Sequence, residues 1–380
     1  MVLSLTSDEA ALLERTRDFA KTVAAEAPAW DRGQKFPRES ISDAAKIGLT
    51  RLQVPADLGG LGFSLACKTA VAETLGGADF GFAMAVLNTQ NIAHRLTMGL
   101  DPEVRDHYLS DVITGKRLGC TALTEPGAGS DFSAITTTAV RDGDGWILNG
   151  EKLWIINAVE ADIVTVYAQT DPGSGGAGIA SFLVDGDCEG FHRSSPIAMT
   201  AQHSIGAGGF RLEQYRAHAN EMLNPPGAAF KAALQGINGA RVYVAAMCCG
   251  MVAACLDTAA EYGRSRRTFG QALADHQGWR WRLAEAEVDL AAARQMVASA
   301  AAEIDTDANA MIAAAQAKVF ATRMAERHIA TLAQNMGAEG LREDHPFGRH
   351  QIGARMASFT DGSTEMLLER LAARYQKRKE

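Results

Sequence analysis

A segment rich in strand-forming residues divides a chain that is otherwise patterned for helices. Residues 121–222 gather β-branched residues and turn signals, whereas apolar residues recur at helical spacing before and after this segment. The pattern predicts an α+β chain that is mainly α. We expect an N-terminal helical domain (residues 1–120), a middle β-domain (residues 121–222) and a C-terminal four-helix bundle (residues 223–380).

Turn and strand signals alternate through the middle segment. Residues 141–145 and 172–176 have the composition of turns, and strand-forming runs occupy residues 163–167 and 180–184. The dipeptide Asn149-Gly150 is the strongest short signal for a tight hairpin. The sequence therefore predicts a β-domain made of hairpins.

The flanking segments contain recognisable helix boundaries. Asp8 and Glu9 suit the first turn of a helix, and the glycine-rich residues 55–62 separate helix signals on either side. In the last third, Gln277 begins one helical pattern and residues 344–348 interrupt another. An apolar stripe at three- and four-residue spacing predicts one long buried helix, with Val244, Cys248, Met251, Cys255, Ala259 and Tyr262 on it.

Composition excludes several classes of function. The net charge of −8 disfavours nucleic-acid binding, which normally needs a basic excess. No apolar run approaches the ~20 residues of a membrane span, and the acidic N-terminus resembles neither a secretory signal nor a transit peptide, so we expect a cytoplasmic protein without a membrane partner. The six cysteines show no C-x-x-C spacing and no histidines cluster, so no metal site is predicted.

A glycine-containing loop, Thr124-Glu125-Pro126-Gly127-Ala128-Gly129-Ser130-Asp131, leads into the β-domain. Its glycines let the backbone approach a ligand closely, and Thr124 and Ser130 add hydroxyl groups. The octet resembles the signature of the acyl-CoA dehydrogenase family, in which this loop lies along the flavin ring and the acyl thioester. The resemblance implies FAD as the cofactor.

Four further segments continue the resemblance in family order, at residues 152–157, 266–277, 334–340 and 361–365. They imply that FAD is bound by two subunits, with Arg266 and Gln334 completing a neighbour's site, and hence a homotetramer, or at least a dimer. The implied FAD contacts are Thr121, Leu123, Thr124, Gly129, Ser130, Trp154, Ile156, Arg266, Phe269, Gln277, Gln334, Gly337, Ala338, Ser363 and Glu365. Singly, each has a structural alternative: Trp154 as core, Arg266 as a solvated charge, Gln334 as part of a helix end.

The resemblance also implies a reaction. An acyl-CoA or acyl-carrier thioester would lose its α-proton to Asp361 and a β-hydride to flavin N5, in fatty acid or amino acid catabolism. Ser130, Arg241 and Gly362 would contact the substrate, and electrons would pass to an electron-transfer flavoprotein. Arg95 could bind an acidic acyl chain or lie on the surface.

Two departures from the family pattern keep other functions open. Asp361 stands where most members have glutamate, which sets the carboxylate back by ~1.5 Å, and a shift of ~1 Å can slow a reaction roughly 100-fold. Asp361 could alternatively only cap the last helix, although Ala240 excludes the other known base position. Ile156 lacks the usual hydroxyl near flavin N5. A desulfinase, a nitroalkane oxidase-like enzyme or a non-catalytic FAD-binding protein are therefore alternatives.

Overall fold

The computed structural model describes residues 3–306 and 310–376 and confirms a mainly helical α+β fold with a central sheet. The N-terminal helices are α1 (Ser7–Gly33), α2 (Arg38–Lys46), α3 (Leu65–Ala78), α4 (Phe80–Leu96) and α5 (Pro102–Ile113). The predicted start of α1 is confirmed, because Thr6 and Glu9 form a reciprocal capping box. Glu9 also accepts hydrogen bonds from the backbone and hydroxyl of Ser64, which joins α1 to the start of α3.

The middle of the chain forms an eight-stranded sheet in the order β6-β7-β3-β2-β4-β5-β8, and β1 pairs in parallel with β4. The strands are β1 (Gly119–Ala122), β2 (Thr138–Asp142), β3 (Gly145–Ile155), β4 (Ile163–Gln169), β5 (Ile179–Asp185), β6 (Phe191–Arg193), β7 (Gly208–His218) and β8 (Met222–Asn224). The predicted strands at residues 163–167 and 180–184 are confirmed as β4 and β5.

The hairpin predicted at Asn149-Gly150 is wrong. Strand β3 runs straight through this dipeptide, and its pairing with β7 shifts by one residue between Leu148 and Gly150, so the site is a β-bulge. Gly150 is needed because a Cβ atom there would lie 2.4 Å from the hydroxyl oxygen of Thr137. The chain reverses earlier, where Gly143 adopts φ +59° between β2 and β3.

The C-terminal part returns to helices, which pack as a bundle against α3. Its elements are α6 (Ala229–Ser265), the short strands β9 (Arg267–Thr268) and β10 (Gln271–Ala272), α7 (Gln277–Asp305), α8 (Met311–Met336), α9 (Phe347–Phe359) and α10 (Thr364–Gln376). The predicted helix start at Gln277 and the predicted apolar stripe along α6 are confirmed. Helix α6 has the length and apolar composition of a membrane span, but 72% of its most apolar window is buried inside the protein, as in a core helix.

Helices α3 and α6 approach each other through glycines. A Cβ atom on Gly250 would lie 1.9 Å from the carbonyl oxygen of Glu73, and one on Gly76 would lie 2.6 Å from Cα of Met247. Neither contact can be relieved by a side-chain rotation, because the clashing atoms belong to the backbone. This close approach sets the distance between the helices that flank the candidate site.

Substituting Gly250 by alanine is therefore expected to lower the free energy of unfolding by about 1–3 kcal/mol, the usual effect of overpacking a core. Gly236 lies in the same helix, and a methyl group added there would meet no atom within 4 Å. Gly236→Ala should raise stability by about 0.5–1 kcal/mol through helix propensity. Chemical denaturation of both variants checks the pair, and equal effects would contradict the packing argument.

Candidate active site

The turn between α9 and α10 presents a half-buried aspartate, Asp361. Asp361 adopts a left-handed backbone with φ +56°, and its Oδ2 atom is buried without a hydrogen-bond partner in the part of the chain that the structure describes. Burial raises the pKa of Asp361, and the positive charges of Lys318, Arg241 and Lys68 act in the opposite direction. A carboxylate without fixed donors is free to accept a proton from a ligand.

Two cations hold the backbone of this turn and leave the carboxylate free. Arg241 on α6 donates from Nε to the carbonyl oxygen of Asp361 (3.0 Å), and Lys318 on α8 donates from Nζ to the carbonyl oxygen of Gly362 (2.6 Å). Burial lowers the pKa of Lys318 to about 8, although the charge of Asp361 opposes the shift. Burial likewise lowers the pKa of Arg241 to about 10. The predicted substrate residues Arg241 and Gly362 are thus brought together with Asp361.

The alternative in which Asp361 only caps the last helix is wrong. Helix α10 begins at Thr364, and the hydroxyl oxygen of Ser363 accepts a hydrogen bond from the backbone N–H of Met366 at 3.3 Å. Ser363 therefore fills the N-cap position. Asp361 lies two residues earlier and needs another explanation for its burial.

A third buried cation, Lys68, acts on Asp361 and was not singled out from the sequence. Lys68 on α3 donates from Nζ to the side-chain oxygens of Gln53 (3.0 Å) and Asn91 (2.5 Å), and the ammonium lies 5.1 Å from the centre of the Tyr243 ring. The only signal in the sequence was a lone lysine within an apolar helical stretch. Arg95, by contrast, is half-buried and donates to Asn224 (2.5 Å) and Tyr167 (3.4 Å).

The octet loop is fixed to the sheet by a buried ion pair. Glu125 accepts hydrogen bonds from the backbone N–H groups of Thr136 (2.6 Å) and Thr137 (3.0 Å) and pairs with Lys152 Nζ at 2.8 Å. Burial opposes ionisation of Glu125, but the charge of Lys152 and these hydrogen bonds outweigh it and lower the pKa of Glu125 to about 2. The loop therefore has a rigid anchor that the sequence motif alone did not explain.

The same anchor joins the loop to strand β3. Lys152 also donates to the carbonyl oxygen of Leu123 (3.1 Å), and the backbone N–H of Leu153 donates to the carbonyl oxygen of Thr124 (3.1 Å). Gly129 and Ser130 remain exposed beyond these contacts. At the start of the loop, the backbone N–H of the half-buried Thr121 donates to the side-chain oxygen of Asn88 (3.3 Å).

The end of β3 turns an aromatic side chain outward. Trp154 has φ +60° and is 58% exposed, so the alternative in which it belongs to the core is wrong. Ile156 is half-buried and packs against the helical core. Asn157 follows with φ +66° and donates from its side chain to the carbonyl oxygens of Ala85 (2.9 Å) and Gly119 (3.0 Å). These bonds fix the backbone that follows the exposed indole, and Leu153 just before it is bonded to Thr124 of the octet loop.

Six of the remaining predicted cofactor residues lie together at another end of the molecule. Trp279 at the start of α7 donates to the carbonyl oxygen of Asn335 at the end of α8 (3.0 Å) and packs against Gly263 of α6. The exposed residues around this junction are Arg266, Phe269, Gln277, Gln334, Gly337 and Ala338. Within residues 3–306 and 310–376, no hydrogen bond or ion pair links this group to the Trp154 region. Glu365 is exposed at the start of α10.

Comparison with known protein families matches three consecutive parts of the chain to three domains of one family. Sequence profiles of the acyl-CoA dehydrogenase N-terminal domain, middle domain and C-terminal domain match residues 6–116, 120–215 and 227–376, respectively. The chain is similar to the mitochondrial short-chain specific acyl-CoA dehydrogenase of Bos taurus, with 32% identity over 93% of this chain and 87% of the relative.

Two further similarities extend the comparison to bacterial proteins. A 3-(aryl)acrylate reductase of Clostridium sporogenes is 31% identical over 92% of this chain and 93% of its own length. The solved structure of butyryl-CoA dehydrogenase from Megasphaera elsdenii superposes with a TM-score of 0.94 at 28% identity, and the match covers 99% of this chain and 100% of that one.

Proposed function

The chain belongs to the acyl-CoA dehydrogenase family, and on this premise we propose that it oxidises an acyl thioester between Cα and Cβ with Asp361 as the base. It is a flavin oxidoreductase, and its cofactor is FAD, as in the family. When bound, FAD supplies the hydride acceptor for this oxidation. The observation that carries the proposal is the carboxylate of Asp361, whose buried Oδ2 atom accepts no hydrogen bond from the described residues.

The residues at the octet loop fit one end of a flavin. Trp154 exposes an aromatic face beside a loop whose Gly129 and Ser130 are also exposed, so a flat ring could cover all three. Leu123, Thr124 and Ile156 lie on the same connected segments. We assign this region, with Thr121, to the flavin end of the cofactor. Ile156 offers only a backbone donor there.

The exposed group at the far end of the bundle fits the rest of the cofactor from a neighbouring subunit. Phe269 is 98% exposed with φ +50°, an arrangement that a large apolar side chain rarely keeps without a covering partner. We propose that Arg266, Phe269 and Gln277, with Gln334, Gly337 and Ala338, contact the FAD of a second copy in a homotetramer. Ser363 and Glu365 would complete the site.

The first step of the reaction depends on two groups of the same turn. The ionised carboxylate of Asp361 would take the α-proton of the thioester. The backbone N–H of Asp361 has no hydrogen-bond acceptor among the described residues, so it is free to donate to the thioester carbonyl and stabilise the developing negative charge. Arg241 and Lys318 keep both groups in place by holding the turn's carbonyl oxygens. Ser130 and Gly362 would contact the substrate.

The proposal is tested by anaerobic titration of the FAD-loaded protein with a panel of acyl-CoA thioesters. Bleaching of the visible flavin band by at least one saturated thioester is expected.

A second candidate, the same fold with different chemistry, is favoured by Ile156 and by the shorter base at position 361. Sulfite release without an electron acceptor, or oxygen uptake with nitroalkanes, would identify that chemistry instead. An FAD-loaded protein inert in all assays would indicate a non-catalytic role.

The proposed reaction also suggests an electron acceptor and a metabolic role. We propose that electrons leave through an electron-transfer flavoprotein and that the enzyme acts in fatty acid or amino acid catabolism in the cytoplasm. A carrier-protein thioester is the alternative to free CoA. Reduction of a purified electron-transfer flavoprotein in the presence of substrate would test the first point, and the same titration with acyl-carrier substrates would test the last.

Replacing Phe269 by alanine should separate cofactor binding from folding. Because the side chain is 98% exposed, the monomer's free energy of unfolding should change by less than about 0.5 kcal/mol. FAD retention during gel filtration should fall, since the aromatic contact with the neighbour's cofactor is lost. Trp281→Ala, at another exposed aromatic residue outside the predicted FAD contacts, is the control. Unchanged FAD retention in Phe269→Ala would argue against the assignment.

A further inference from the structure

Lys68 is a buried cation without a carboxylate in direct contact. The residue is only 4% exposed, and its ammonium forms no ion pair with an acid in the described parts of the chain. The two oxygens that its ammonium contacts belong to neutral amides, those of Gln53 and Asn91. A buried charge paired only with neutral groups is expensive to maintain, so its presence calls for a compensating anion.

Helix α4 faces Lys68 with polar side chains. Gln90, Asn91 and His94 share one side of the helix by their spacing, and Asn91 bridges Lys68 and the hydroxyl of Tyr243 (3.2 Å). The charge of Lys68 acts on His94 and, with burial as the larger cause, lowers the pKa of His94 to about 4, which keeps the imidazole neutral. Asn91 therefore contacts the ammonium directly, and the other two polar side chains lie on the same side of its helix.

Gln90 adds unused hydrogen-bonding capacity to this face. The residue is 0% exposed, and neither its side-chain nitrogen nor its oxygen has a hydrogen-bond partner in the structure's described residues. The opposite side of α4 contacts the sheet, where the hydroxyl of Thr89 accepts a hydrogen bond from the backbone N–H of Gly119 (3.4 Å) and Ile92 packs against Gly119. The free amide thus lies on the helix face that is turned away from the sheet, the face of Asn91.

The electrostatic balance around Asp361 favours an anionic ligand. Three buried cations, Lys68, Arg241 and Lys318, act on the single carboxylate of Asp361. Exposed Glu365 adds a negative charge only on the side of Lys318. Burial lowers the pKa of Lys68 to about 7, and the charge of Asp361 opposes this shift. An anion next to Lys68 would both restore the balance and stabilise the protonated amine.

We propose that Lys68 binds a carboxylate on the far end of the acyl group, so that the enzyme acts on thioesters of dicarboxylic acids. The inference rests on the proposed function, because it requires the substrate's Cα to lie beside Asp361. The acyl chain would then extend between α3, α4 and α6 toward the ammonium. Gln90 and Asn91 would supply neutral donors, and Tyr243 would form the wall between the two ends.

Matched thioesters test the proposal. Glutaryl-CoA and pentanoyl-CoA have acyl chains of equal carbon number and differ in the terminal carboxylate. Wild-type protein is expected to show a higher kcat/KM for flavin reduction with glutaryl-CoA by about 10- to 100-fold, the usual effect of a hydrogen bond to a charged group. Lys68→Met should abolish this preference, because the glutaryl-CoA value should fall about 10- to 100-fold further than the pentanoyl-CoA value. The pentanoyl-CoA value should change only through the effect of the lost charge on Asp361.

Controls distinguish binding of the terminal carboxylate by Lys68 from a structural effect of the substitution and from failure of the proposed function. Lys116→Met removes an exposed lysine and should leave the preference intact. Calorimetric binding of glutaconyl-CoA and pent-2-enoyl-CoA, the corresponding unsaturated products, should show the same dependence on Lys68 without turnover. An equal loss for both thioesters in Lys68→Met, or a wild-type preference for pentanoyl-CoA, would overturn the inference but leave the proposed function standing. Failure of every thioester to reduce the flavin would overturn the proposed function itself.

Discussion

Asp361→Asn is expected to slow flavin reduction by acyl-CoA about 10²- to 10⁴-fold, the range that positioned general bases contribute. The amide cannot take the α-proton, but it nearly preserves the size of the carboxylate, so the turn held by Arg241 and Lys318 should remain folded. The variant should retain FAD with an unchanged visible spectrum. Stopped-flow measurement of flavin bleaching under anaerobic conditions gives the rate.

The control for this substitution is Asp361→Glu, which keeps a carboxylate and restores the longer side chain usual in the family. We expect the flavin of this variant to be bleached by acyl-CoA far faster than that of the asparagine variant.

In the wild-type protein the rate of flavin reduction should rise with pH through a pKa above the ordinary aspartate value of 3.8, because burial raises the pKa of Asp361 and the base acts only when ionised. Asp361→Asn should lose this dependence. Full activity in the asparagine variant would remove Asp361 from the mechanism.

Glu125→Ala should lower the free energy of unfolding by about 3–5 kcal/mol, the typical effect of removing one partner from a buried ion pair. It leaves the ammonium of Lys152 buried without its carboxylate and removes the acceptor for Thr136 and Thr137. The octet loop should lose its anchor, and FAD should dissociate more readily. Equilibrium denaturation gives the stability, and the visible absorbance after gel filtration gives the retained cofactor.

The double variant Glu125→Leu with Lys152→Met is the matched control, because it removes both charges together and should recover most of the lost stability. The contribution of Glu125 to the free energy of unfolding should decrease as pH falls. The pKa of Glu125 falls from 4.5 to about 2 on folding, so its stabilisation is complete above pH 4.5 and is lost as pH falls toward 2. Glu125→Gln should not show this loss. A stability change below about 1 kcal/mol in Glu125→Ala would mean that the pair does not anchor the loop.

Much of the architecture could be predicted because hydrophobic periodicity is a local property. The apolar spacing along α6, the start of α7 at Gln277 and the runs that became β4 and β5 each reflect contacts that one element makes on one face. The hairpin signal at Asn149-Gly150 failed for a non-local reason. Pairing of β3 with β7 and the close contact between Gly150 and Thr137 decide that the dipeptide forms a bulge.

Part of the candidate site could likewise be predicted from local sequence, and part could not. The octet, the segment around Trp154 and the turn at Asp361 could be singled out because family motifs are contiguous in sequence. The roles of Glu125 and Lys152 could not, since they depend on a loop folding back onto a strand. The exposure of Trp154 could not be predicted either, because it depends on which residues pack against the indole, and in the structure the indole is exposed.

The sequence by itself determined the order of helices and strands, the family resemblance and the identity of the carboxylate at position 361. Only the tertiary structure decided that Ser363 caps α10 and that Asp361 stands free. It alone joined Lys68 of α3 to Asn91 of α4 and Tyr243 of α6. The reason is that burial and charge balance depend on groups distant in sequence, and a lysine in an apolar helix gives no local sign of its partners.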